Sequence, residues 1–214
     1  MTQDKASKTF NLLSEKLIKE HWDFYPTAGS RIGHHQYDGR LPDLSPAQNA
    51  RRVLELKSGQ KELQRINSED LGDAERMSSQ MLDLFLQREL FVFNDLKPLE
   101  NNPMRHIGYL NVSGYIHRNY APLEDRLRAA SRTMRQVPDF LNVLDKALVK
   151  QLSSYLVEMS IESYSGMAGF YRKDLAGATN GITDFEVIKA VSYTHLRAHE
   201  TDSYLVCRLL LEKK

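Results

Sequence analysis

Tyr25-Pro-Thr-Ala-Gly-Ser-Arg-Ile-Gly-His-His-Gln-Tyr-Asp-Gly-Arg-Leu-Pro-Asp-Leu-Ser45 is the longest stretch of this 214-residue chain that does not read as ordinary helix. Pro26 pushes the residue before it out of the α region. Gly29, Gly33 and Gly39 allow backbone turns that other residues resist. Asp38-Gly39 is a turn dipeptide, and Leu41-Pro42-Asp43 reads as extended chain entering the next helix. His34 and His35 are adjacent and lie close in sequence to Tyr37, Asp38 and Arg40. Side chains of neighbouring residues point apart in regular structure, so the two histidines alone make a poor metal pair. Two readings stay open: a packed loop joining two helices through an Arg–carboxylate contact, or a loop that touches a substrate.

Everything around this pivot reads as helix. On its N-terminal side Phe10, Leu13, Leu17, His21 and Phe24 fall at steps of 3, 4, 4 and 3, broadened by Ile18, Trp22 and Tyr25. His21 on that apolar face reads as a packed core histidine. On the C-terminal side Ser45-Pro46-Ala47-Gln48 is a helix start, with Ser45 as cap and Pro46 in the first turn. That helix is expected to run to about Ile66, with Val53, Leu56, Leu63 and Ile66 inward and Gly59 as a weak point. Ser68 to Asp73 is a polar loop. A long helix follows to about Leu96, with only Arg76, Gln80, Asp83, Gln87 and Asn94 forming a polar line. So narrow a wet face predicts a helix at the centre of the core.

Pro98 and Pro103 bracket a loop. Met104 to Tyr120 is aromatic and mixed, and either lines a groove or forms short helix with packed tyrosines. If it and the pivot line a groove, the substrate-contacting candidates are His34, His35, Tyr37, Arg40, Tyr115 and His117. No catalytic and no metal-ligating residue is identified. Pro122 opens a helix carrying Leu123, Leu127, Ala130 and Met134 inward. Its Arg126, Arg128, Arg132 and Arg135 read as a solvated face. Pro138-Asp139 is expected to restart the chain, and Leu141, Leu144 and Leu148 continue the apolar line. A last helix spans roughly Leu152 to Leu175, with Leu152, Leu156, Met159, Ser163, Gly166 and Phe170 on one side, and Gly177 and Gly181 stop it.

The sum is an all-α chain of six or seven helices in a mostly antiparallel, bundle-like array. With 41% apolar and 27% charged residues it has the composition of a soluble globular protein. A net charge of +1 argues against nucleic-acid binding, which usually shows a clustered basic excess. The single cysteine, Cys207, allows no intramolecular disulfide. The polar segment Met1 to Lys8 lacks the apolar stretch of a signal peptide, and no run approaches a membrane span. No membrane and no nucleic-acid partner is expected; the compartment is left unknown, with cytoplasmic as the default.

Three segments resemble a known family. Gly33 to Ser45 is similar to the early Gly-Asp-x-x-Tyr-Asp-x-Arg-Leu-Pro-Asp-Leu-Ser signature of the bacterial domain-of-unknown-function family 885, with His34 in place of its aspartate. Tyr120-Ala121-Pro122 with Arg126-Leu127, and Val137-Pro138-Asp139-Phe140-Leu141, carry the rest, over about Leu13 to Ala190. The resemblance implies the N-terminal part of a larger helical protein similar to zincin-like peptidases, taking a peptide substrate and a zinc cofactor. The implied metal motif, of the His-Glu-x-x-x-Gly-His type, lies downstream of the region covered. In such a motif two histidines hold the metal and the glutamate activates water. Residues 1–191 are then expected to be scaffold and one wall of the substrate cleft, inactive alone and without stoichiometric zinc. The alternative is a stand-alone helical binding or scaffolding domain.

The tail offers a competing signal. His195 and His199 lie one helical turn apart, followed by Glu200. Yet Ser192-Tyr-Thr-His-Leu-Arg-Ala-His-Glu-Thr201 and its continuation to Lys214 resemble the translated sequencing adapter that ends many metagenomic reading frames. Residues 192–214 are therefore set apart as adapter-derived.

Overall fold

Pro26 interrupts the first helix without ending helical structure, because proline's fixed φ suits a first helical turn. The computed structural model describes residues 3–149, 151–175 and 177, and in it the chain leaves α1 (Gln3–Phe24) and enters α2 (Pro26–Arg31) at once. There follow α3 (Pro46–Gln64), α4 (Asp73–Phe91), α5 (Pro98–Asn101), α6 (Met104–Leu110), α7 (Ser113–His117), α8 (Leu123–Ala147) and α9 (Ser154–Phe170). Single 3-10 turns cover His35–Tyr37 and Ser68–Asp70, and wider π turns extend α4 over Val92–Leu96 and α9 over Tyr171–Leu175. Among the described residues there is no strand, so the fold is all-α. The pivot was expected to be non-helical throughout. It holds a short helix and a 3-10 turn, and its turns fall at Gly33 and Gly39, both with positive φ.

The described residues divide into two units, one built from residues up to 24 and 45–98, the other from 25–44 and 99 onward. The pivot thus leaves the helices on either side of it and belongs to the second unit.

In the first unit α1 packs on α3 and α4 through Ala6, Phe10, Leu13, Leu17, Leu56, Leu63, Leu71 and Leu86. Burying a leucine contributes roughly 1.5–3 kcal/mol. Ser45 caps α3 by accepting the Gln48 N–H. Gly59 is a site of close approach rather than a weak point: a Cβ there would come 2.4 Å from Leu17 Cδ2. At the start of α4 the Glu75 carboxylate accepts the Gly72 N–H and the Ser7 hydroxyl. His21 is half-buried against Trp22 and Phe85, and burial, with Arg52 and Arg88 nearby, lowers its pKa to about 4. Ile18, read as part of the inward face, is exposed.

α4 is not a core-centre helix. Leu86 and Glu89 are buried, whereas Met77, Met81, Leu84 and Phe91 are exposed on a ridge at steps of 4, 3 and 7. Its apolar residues surround it, but α1 and α3 cover only one side.

In the second unit α8 is continuous through Pro138. Proline there lacks the N–H that would bond the residue four back. The inward line Leu127, Ala130, Met134, Val137, Leu141 and Leu144 crosses it without a break, so burial on both sides outweighs the missing bond. α9 packs on α6 with Val157, Ser160, Tyr164, Ala168 and Tyr171 inward, a different face from the Leu156, Met159, Ser163 line expected. The tyrosine hydroxyls account for the rotation. Tyr164 donates to the Pro103 carbonyl at 3.2 Å, and Tyr171 donates to the Leu110 carbonyl. No helix among the described residues is long and apolar enough to cross a membrane.

Candidate functional site

The pivot, the chain from Tyr109 of α6 to Tyr120, and Thr133 of α8 line a cavity of about 250 Å³ in the second unit. Its floor is a hydrogen-bonded net centred on Asp38. Oδ1 of Asp38 accepts the Ser30 hydroxyl at 2.5 Å. Oδ2 accepts the Tyr120 hydroxyl at 2.7 Å and pairs with His35 Nδ1 at 3.2 Å. The His35 ring stacks on the Tyr120 ring, with centroids 3.8 Å apart and planes within 6°. Burial, and then the Asp38 carboxylate that its hydroxyl bonds, push the Tyr120 pKa well above the usual phenol range. Tyr120 is therefore a neutral donor at any ordinary pH.

Tyr115 ties the net to the backbone. Its hydroxyl accepts the Gly39 N–H at 2.9 Å and lies 3.4 Å from Ser30 Oγ. Because the Ser30 proton goes to Asp38, Tyr115 donates to Ser30. Gln136 of α8 holds the other side of the turn, donating to the Gly39 carbonyl at 2.7 Å and accepting the Leu41 N–H at 3.2 Å. Gly39 has to be glycine: φ is +79°, and a Cβ would sit 2.7 Å from Arg132 Nε and 3.0 Å from the Ala129 carbonyl. Arg126 secures the opposite wall. Only 7% exposed, it donates through Nε to the Ala121 carbonyl and through Nη1 to the Tyr115 and Ile116 carbonyls at 2.8–3.0 Å. Arg126 was read with a solvated basic face; Arg128, Arg132 and Arg135 are on that face, and Arg126 is not.

Of the sequence candidates, His35, Arg40, Tyr115 and His117 line this cavity. Tyr37 is buried, its ring set against Gly29. His34 is exposed and is not part of the lining. Tyr109 and Tyr120, from the aromatic stretch read as a possible groove wall, also line it, and the structure adds Arg31 and Arg118 and, bonded to Tyr120, Asp38. Asp38-x-Arg40 and Tyr120-Ala-Pro had stood out in the sequence, but nothing local pairs Asp38 with a tyrosine 82 residues away. His106 in α6 lies in the core: fully buried, it bonds the Leu99 carbonyl through Nε2, and burial lowers its pKa to about 4. The 104–120 stretch is thus both of its alternatives, short helices with some aromatics packed and others on a cavity wall.

None of the 14 lining residues is acidic, while Arg31, Arg40 and Arg118 are among them. Arg31 donates to the Gly108 carbonyl, Arg118 donates to the Arg31 carbonyl at 2.5 Å, and the Arg40 guanidinium lies over the Tyr37 ring at 5.3 Å. Among the described residues no carboxylate pairs with any of the three. The Arg–carboxylate clasp considered for the pivot is therefore absent at Arg40, and its carboxylate, Asp38, is held by hydroxyls and an imidazole. The site is suited to hold an anion.

The described residues do not fit the zinc ion that the resemblance implies. No group of three or more His, Cys, Asp or Glu side chains among them is placed to hold a metal, and His35 gives Nδ1 to Asp38. His195, His199 and Glu200 lie outside the described residues.

No curated protein matches the chain. Among solved structures, a candidate lipoprotein of unknown function from Shewanella oneidensis superimposes with a TM-score of 0.83 at 20% identity, over 95% of this chain. At that identity the likeness shows the fold alone. The chain spans 37% of that protein's length. A family model described as bacterial protein of unknown function (DUF885) matches residues 26–201, from the start of α2 into the stretch set apart as adapter-derived. With most of its length matched, the chain belongs to the bacterial family of unknown function DUF885.

Proposed function

We propose that this chain is a non-catalytic helical flank of a zinc-dependent, peptidase-like protein, and that the second-unit cavity is its contribution to the peptide-binding cleft. One observation carries the reading: pivot and α6–α7 residues far apart in sequence converge on a concave, tyrosine-lined wall whose arginines have no acidic partner among the described residues. Such a wall has hydrogen-bond donors and flat aromatic faces for an extended peptide. The family's resemblance to zincin-like peptidases and the 37% span of the solved neighbour are in keeping with a working centre supplied by further sequence.

The genomic reading frame tests this. Beyond residue 190 the expected result is a helix segment of the His-Glu-x-x-x-Gly-His kind. A natural stop codon near residue 214, with residues 192–214 encoded in the genome, would contradict this reading and favour a stand-alone binding or scaffolding domain.

A further inference from the structure

We infer that the second-unit cavity selects a carboxylate on its ligand, held by the guanidinium groups of Arg40 and Arg118. The inference rests on the reading of that cavity as a peptide-contacting wall and adds the substrate class: peptides presenting a free carboxylate.

Charge balance is the first support. Arg31, Arg40 and Arg118 line the cavity without an acidic residue in the lining, and the Asp38 carboxylate, bonded by Ser30, Tyr120 and His35, offsets one of the three charges. An arginine cluster in a concave site focuses positive potential on it, which favours an anion. Donor capacity is the second. A guanidinium carries five N–H groups. Arg118 uses one on the Arg31 carbonyl, and Arg40 is placed only by its stacking on Tyr37. Their remaining forks match the two oxygens of a planar carboxylate. The size of the cavity, about 250 Å³, suits one or two residues of a peptide end rather than a large polyanion.

The test is calorimetric titration of the 214-residue protein at low salt with four probes. They are acetyl-Ala-Ala as the free acid, the same peptide as its C-terminal amide, acetyl-Glu-Ala-amide, and inorganic phosphate. We expect at least one peptide acid to bind about tenfold or more tighter than the amide, as one charge-assisted contact provides. Acetyl-Ala-Ala acid identifies a C-terminal carboxylate, and acetyl-Glu-Ala-amide a side-chain carboxylate. The preference should shrink with added salt, and should vanish in Arg40→Gln/Arg118→Gln checked for unchanged melting. Acid and amide binding alike in the unmodified protein overturn the inference and leave the peptide-contacting reading standing. Phosphate binding tighter than either acid also overturns it. No binding of any probe overturns both.

Discussion

Arg126 shows how one residue can hold a site it does not line. Its guanidinium spans the Ala121, Tyr115 and Ile116 carbonyls and so fixes the curve of chain that carries Tyr115, His117, Arg118 and Tyr120. Hydrogen bonds to a charged group contribute about 1.5–3 kcal/mol, and buried carbonyls left bare add a penalty. Arg126→Ala is expected to destabilise by about 3 kcal/mol or more in denaturant melts. Arg126→Lys should recover only part, because an ammonium cannot fork across three acceptors. Helical periodicity placed Arg126 among solvated arginines, since it reports the helix but not the loop folded over it. His106 carries a second expectation. Its folded pKa is lowered to about 4 by burial, against about 6.5 when unfolded. As pH falls between those values the unfolded chain binds a proton that the folded one refuses. The stability is thus fully present above about pH 6.5 and is lost as pH falls through about 4, by up to ~3 kcal/mol. Half-buried His21 acts in the same direction. Denaturation midpoints at pH 7 and pH 5 should differ in that sense, and His106→Phe should flatten the slope.

At the scale of elements, what was legible followed from local periodicity, and what was not depended on partners. The Phe10, Leu13 and Leu17 stripe of α1, the Ser45 cap of α3 and the apolar line of α8 were read correctly, because each is written in the spacing of neighbouring residues. Pro138 was misread as a break, since a propensity rule gives no weight to a buried stripe continuous on both sides of the proline. The face of α9 was misassigned because Tyr164 and Tyr171 turn it toward the Pro103 and Leu110 carbonyls, which no helical spacing reveals. α4 gives the sharpest check. Leu84 is 65% exposed and Leu86 is 0% exposed, two residues apart on one helix. Leu84→Lys should change stability by no more than about 0.5 kcal/mol, whereas Leu86→Ala should cost about 2–5 kcal/mol. Equal costs would return α4 to the centre of a core.

For the molecule as a whole, the all-α class was legible from composition and periodicity, and the family from the pivot signature. The division into two units was not, because the pivot's partners, Tyr115, Tyr120 and Gln136, lie 76 to 97 residues away along the chain. The candidate site was legible in part for the same reason: His35, Arg40, Tyr115 and His117 were named, while Asp38, Arg118 and the Tyr120 contact became visible only once the two segments met. Under the proposed function this chain is a recognition wall and the chemistry belongs to the full-length protein. Zinc-dependent hydrolysis of a peptide library, measured side by side for the product of the intact gene and for this 214-residue chain, tests that most directly. The account predicts cleavage by the former and none by the latter. Zinc-dependent cleavage by the 214-residue chain alone, or none by the intact product, would contradict it.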